Sequence, residues 1–109
     1  MATLHVEFAI PALRSSYASS IHGRCVFYEA LTISATQANG TSATPQQVGN
    51  SNLVARLFSD TACFIATGSA ADATATAATG TTSAKRFLPA GGEIPLELQA
   101  GERVSVIAA

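Results

Sequence analysis

The feature that most constrains what this chain can fold into is a repeated alternation of apolar and polar residues with a period of two. Leu4, Val6, Phe8 and Ile10 alternate with Thr3, His5 and Glu7, as a half-buried strand demands when successive side chains point to opposite faces. Pro11 closes that segment. The same period returns near the other end, where Ile94, Leu96 and Leu98 in residues 93–98 and Val104 and Val106 in residues 102–107 are expected to face inward. Shorter strands are expected over 53–58, 62–67 and 86–88, with Ser59 and Asp60 between the first two giving a hairpin signal. Pro89, Gly91 and Gly92 supply one turn and residues 99–101 another. Pro95 has no N–H to give to a ladder, so its strand belongs at a sheet edge or at an irregular spot.

The remaining segments are less regular. In residues 24–36, Cys25 and Phe27 share a phase with Leu31, Ile33 and Ala35, and Glu29 falls between them. Two strands satisfy this pattern, and so does one long strand with a bulge at 28–30 that lets the charge escape burial. Leu13, Tyr17 and Ile21 recur every four positions and suggest a short helical turn or two within 12–22. Residues 37–52 collect Asn, Gly, Thr, Ser, Pro and Gln and are expected to form a long exposed loop. Residues 68–84 contain mainly Ala, Thr, Gly and Ser, with no large apolar side chain, and are expected to add little core. A helix there would have Ser69 and Asp72 at capping-box spacing and Gly80 as a stop. Thr74, Thr76 and Thr79 and the lack of an apolar stripe oppose it, so an extended loop is expected.

Together these segments predict an all-β fold: a single β-sandwich or jelly roll of about seven or eight short strands spanning residues 1–109, with at most one short helix. The length suits one domain whose folding buries about two-thirds of the surface of the unfolded chain. No internal repeat is visible.

Composition then excludes several classes of function. A net charge of -1 and a pI near 6.0 remove the basic stripe that nucleic-acid binding needs. Lys85 and Arg86, the one adjacent basic pair, are expected to be solvated. No apolar run approaches the roughly 18 residues of a membrane span. The first fourteen residues lack the basic and apolar regions of a signal peptide, so a cytosolic product is expected. In that compartment Cys25 and Cys63, both in apolar strand contexts, are expected to be buried thiols, although one bridge between them is a formal alternative.

The search for chemistry yields no catalytic, cofactor or metal residues. His5 and Glu7 lie on one strand face, but two ligands do not make a metal site. His22 beside Gly23 has no orienting partner nearby in sequence. His22, Asp60, Asp72 and the many serines permit a nominal triad, as any chain of this composition does, and the G-x-S-x-G elbow is absent. Glu93 and Glu97 are separated by about 13 Å at strand rise, too far for a retaining pair of carboxylates, and are expected on a solvated face. Asn39, Gly40 and Thr41 form a sequon whose meaning here is turn chemistry. An enzyme is therefore not expected.

What is left is association. Exposed strand edges are usually guarded by charge, especially lysine, and Lys85 is the single lysine. The uncharged stretch 61–69 and the C-terminal strand are expected to pair with neighbouring strands or lie in subunit contacts. From Leu53 onward the order LVARLFSDTACFIATG, a small-residue loop, then KRFLPAGGEIPLELQAGERVSVIAA resembles small virion proteins of tailed bacteriophages. The resemblance rests on a strand ending in ACFIATG, a variable loop, an LPAG turn and a closing GERVSVI strand, and does not extend to the N-terminal half. It implies a sandwich or jelly-roll subunit of the virion, assembled in the host cytoplasm. In that role it is a capsid decoration or cement protein bound to the major capsid protein, or else a neck, tail or baseplate subunit. A homo-oligomer is expected, with a cyclic trimer suited to shell axes. The reading from a different class is a small sugar- or ligand-binding sandwich with residues 37–52 lining its pocket. The absence of tryptophan and an aromatic fraction of 6% count against it.

Overall fold

The alternating segments pair into two antiparallel sheets in a computed structural model that describes residues 2–11, 22–40, 53–99 and 101–109, the side chains at 10, 11, 22–26 and 53 excepted. The described residues contain eight strands and no helix: β1 (Thr3–Pro11), β2 (His22–Thr32), β3 (Ala38–Asn39), β4 (Leu53–Ser59), β5 (Cys63–Gly68), β6 (Arg86–Leu88), β7 (Glu93–Leu98) and β8 (Arg103–Ala108). One sheet has the order β2-β1-β4-β7 and the other β3-β8-β5-β6. If the count starts at β2 and β1 is placed eighth, these orders become 1-8-3-6 and 2-7-4-5. That is the jelly-roll connectivity, with the closing strand first in the chain.

The two sheets bury one common layer. Leu4, Val6, Phe8, Leu31, Ala55, Leu57 and Leu98 enter it from the first sheet, and Cys63, Ile65, Leu88, Val104 and Val106 from the second. In-register pairing puts these residues in rows, such as Val6 opposite Leu57 and Leu57 opposite Ile94, or Ile65 opposite Val106. The period-two expectation holds at Leu4, Val6 and Phe8, over 93–98 and at Val104 and Val106, Ile94 and Leu96 being half-buried against the core, while the Ile10 side chain lies outside the described residues. Pro95 lies on β7, an edge strand, as its missing donor requires. Burial raises the proton affinity of the free Cys63 thiol and leaves it an inert core group.

Several expectations are corrected. Ser59 and Asp60 do not turn a hairpin, because β4 belongs to the first sheet and β5 to the second. The segment between them crosses from one sheet to the other. Buried Ser59 holds this crossing: its hydroxyl donates to the Thr61 carbonyl and accepts from the Thr61 amide at 3.1 Å and the Cys63 thiol at 3.6 Å. The Asp60 carboxylate accepts from the Thr3 amide at 2.9 Å and the Thr61 hydroxyl at 3.0 Å, which ties the crossing to the start of β1.

Residues 24–36 contribute one strand that ends at Thr32, and the register shifts fall opposite Phe8/Ala9 and Ala9/Pro11, between Phe27 and Cys25 and between Cys25 and His22, instead of at 28–30. Glu29 needs no bulge because it stays half-buried on a sheet-edge strand beside Gly40, where a Cβ would come within 2.8 Å of the Glu29 Oε1. Residues 37–40 hold β3, bonded to β8; the rest of the expected 37–52 loop, and the expected helical turn at 12–21, lie outside the described residues. β5, which carries no charge, and β8, whose one charge is Arg103 at its start, are interior strands paired with each other, so they need no guarding charge. The edges of the sheets are β2, β7, β3 and β6. Of these, β3 and β6 are very short and β7 carries Glu93, Pro95 and Glu97, three of the usual means of blocking edge pairing.

Residues 69–84 form neither a helix nor a detached loop. They fold back over the outer face of the second sheet, where Ala73 is fully buried and its amide donates to Gln37 Oε1 and to the Ser105 hydroxyl at 3.2 Å. This cover explains why Ala66 and Ser105, on the outward phase, are buried too. The loop satisfies its own backbone through Ala70 N to Thr81 O, Thr79 N to Thr82 O, Ser83 N to Thr67 O and Lys85 N to Ala75 O. Small side chains let it lie close to the sheet.

Gly68 sets the start of this cover. Its φ is +152°, and a Cβ would meet the Thr81 carbonyl oxygen at 2.1 Å, whereas Gly91 at φ +75° has open space around it. Gly91→Ala is expected to cost about 1 kcal/mol of backbone strain. Gly68→Ala is expected to cost more than about 2 kcal/mol, because strain and a backbone clash combine. Urea unfolding midpoints of the two variants test this order.

Candidate functional site

The outer face of the first sheet carries the densest group of chemically capable side chains among the described residues. Antiparallel register places His5 opposite Phe58 and Glu7 opposite both Arg56 and Tyr28. Glu93 lies opposite Phe58 on the far side. All occupy the outward phase of β1, β2, β4 and β7, so four separate strands converge on one surface.

Three rings form a row. His5 stacks on Tyr28 with centroids 6.0 Å apart and planes 25° apart, and it contacts Phe58 at 6.2 Å and 37°. The His5 Nδ1 shares a 2.6 Å hydrogen bond with the Tyr28 hydroxyl, and Tyr28 is 51% exposed. Beside the rings runs an ionic chain in which Arg56 reaches Glu7 Oε1 at 3.3 Å and Glu93 Oε2 at 2.5 Å. The Arg56 guanidinium is held charged chiefly by its hydrogen bond to Glu93. These pairs are partly exposed, so they contribute little to stability and serve mainly to fix the side chains. His5, Glu7, Tyr28, Arg56 and Phe58 enclose an open cavity of about 300 Å³.

The polar side chains of this surface are engaged with one another. Glu7 is engaged by Arg56 and His5 by Tyr28, so the pair weighed as metal ligands has other partners. No group of three or more His, Cys, Asp or Glu side chains suited to a metal occurs among the described residues. Glu93 and Glu97 are exposed on the edge strand. Asp60 and Asp72 hold backbone in place: Asp60 at the sheet crossing, and Asp72 by accepting from the Thr74 amide at 2.9 Å and the Thr74 hydroxyl at 2.6 Å. The His22 side chain lies outside the described residues. Asn39 is an exposed residue of β3 beside Ser105.

Tyr28, Arg56 and Phe58 were not singled out from the sequence. The signal was faint: Arg56 and Phe58 share the outward phase of one strand, and His5 and Glu7 that of another. Which strands lie side by side is a property of the sheet order, which alternation does not encode.

A second cavity, of about 440 Å³, lies between residues 78–83 and the β7–β8 turn. Its lining includes Thr67, Ser69, Thr79, Thr81, Gln99 and Glu102.

Comparison with protein-family models, curated proteins and solved structures returns no match. The fold therefore rests on its own topology.

The two structural aspartates yield an acid-side prediction. Hydrogen bonds from Thr3 to Asp60 and from Thr74 to Asp72 lower the proton affinity of both carboxylates in the folded chain. Their contribution is present above the ordinary carboxylate range and is lost as pH falls through the lowered folded values. The urea midpoint should fall on acidification below about pH 4. In the double variant Asp60→Asn, Asp72→Asn that fall should be shallower.

Proposed function

We propose that the protein is a non-catalytic structural subunit of a bacteriophage virion, foremost a capsid decoration protein that binds the major capsid protein and stabilises the shell. A neck, tail or baseplate position is the alternative form of the same reading. The observation that carries it is an apolar strip left open on the outer face of the second sheet. Phe87, 55% exposed, packs edge-on to Phe64 at 5.7 Å, and Ile107 lies opposite Phe64 on the next strand. Lys85 sits 4.3 Å over the Phe64 ring and borders the strip. Residues 69–84 cover the middle of this face and stop short of the strip.

Aromatic anchors of this kind, with few charges around them, are the usual centre of protein contacts. The weakly charged composition, 12% Asp, Glu, Lys and Arg, agrees with a surface meant for burial against other copies. The resemblance of the C-terminal half to small virion proteins supplies the setting. Because three of the four sheet edges, β3, β6 and β7, are short or blocked, contact through faces is favoured over strand addition, and repeated weak interfaces add up by avidity.

The purified protein is expected to self-associate, as a trimer in the simplest closed form, or to bind assembled shells. Phe87→Asp should weaken that association about tenfold or more. Sedimentation and shell-binding assays check both. A strict monomer at high concentration that binds neither capsids nor tails would overturn the reading. Particles that lack the protein yet resist heat normally, but fail to attach or inject, would move it to the tail.

A further inference from the structure

We propose that the His5–Tyr28–Phe58 and Glu7–Arg56–Glu93 surface of the first sheet binds a neutral sugar ring. The site is independent of the assembly reading, which uses the opposite face of the sandwich.

Charge excludes anions first. Two carboxylates flank one guanidinium, so the site has a formal charge of -1 with His5 neutral. A phosphate or sulfate would meet Glu7 and Glu93 before it met an available Arg56. The geometry disfavours a cation as well. Cation sites in proteins use ring faces aimed at one point, whereas His5 lies nearly parallel to Tyr28 in a row. The carboxylates are also already turned to Arg56.

A pyranose fits what remains. Its C–H face can lie against the half-exposed Tyr28 ring, which is stiffened by His5 through stacking and the 2.6 Å hydrogen bond. Each carboxylate can accept at its second oxygen, and the guanidinium has N–H groups beyond the two used on Glu7 and Glu93. Planar acceptors and donors side by side match the paired hydroxyls of a sugar. Arg56 fixes both carboxylates beforehand, so little ordering is needed on binding. The cavity of about 300 Å³ is at the small end of ligand sites and opens to solvent. That suits one ring, free or within a longer chain, held weakly.

The sequence argued against such a site because aromatic residues make up only 6% of the chain. The fold concentrates two of those aromatic residues and a histidine on one patch, so the fraction understates the platform.

The test is an NMR titration of the full chain with methyl glycosides of glucose, galactose, mannose and N-acetylglucosamine. At least one should give saturable shifts at the Glu7, Tyr28 and Arg56 amides with a dissociation constant of about 1–10 mM. Tyr28→Ala should weaken binding about tenfold, and Tyr28→Phe, which keeps the ring, much less. Arg56→Gln should weaken it with the rest of the spectrum intact, and Phe87→Ala, on the other sheet, should leave it unchanged. Absence of saturable shifts with all four glycosides would overturn the proposal. So would tighter binding of tetramethylammonium or phosphate at the same amides.

Discussion

The shared apolar layer between the sheets is the interaction on which everything else depends. Neither sheet can stand alone, because each has one face of Leu, Ile, Val and Phe that only the other can cover. Leu4, Val6 and Leu57 from one side and Ile65, Val104 and Val106 from the other are at most 1% exposed. Burial of this kind stabilises by about 1.5–3 kcal/mol per large side chain, which makes the layer comparable with the whole stability of a small domain. The chain reaches both faces of the layer by changing sheet after β2, β3, β4, β6 and β7. Polar groups at the crossings do local work in service of that layer: Ser59 inside the one after β4, Asp60 beside it, and the Gln99 amide donating to Glu102 Oε1 at 2.7 Å in the last.

With the inner faces committed to each other, the outer faces differ in character. The second sheet is half covered by residues 69–84, whose small side chains pack Ala73 onto Ser105. A segment without any large apolar side chain thus removes backbone and sheet surface from water by lying close. What it leaves open is the Phe64–Phe87–Ile107 strip. The first sheet instead displays rings and fixed charges. With β3 and β6 very short and β7 blocked, the sandwich offers partners mainly its faces, and these two faces offer different chemistries.

The alternation of residues 3–10, 93–98 and 102–107 was enough to say which side chains point inward, because a strand has only two faces. It could not say which sheet a strand joins. Ser59 and Asp60 look the same in sequence whether they turn a hairpin or lead a crossing, and only the competition among strands for the common core decides. The absence of charge in residues 61–69 was legible, but its cause is the interior position of β5, not an exposed edge. Glu29 suggested a bulge because sequence shows a charge on an apolar phase and not the edge position and Gly40 that accommodate it. The ring row was least legible: it needs the order β2-β1-β4 to bring Tyr28, His5 and Phe58 together, and the three are far apart in the chain.

The most direct test of this account is the pattern of cross-strand NOEs in the assigned protein. Two sheets sharing one core predict contacts between Leu57 and Ile94 and between Ile65 and Val106, with none pairing β4 to β5. Backbone NOEs of a continuous hairpin, such as Ala55 facing Ile65 across residues 59–61, would contradict it.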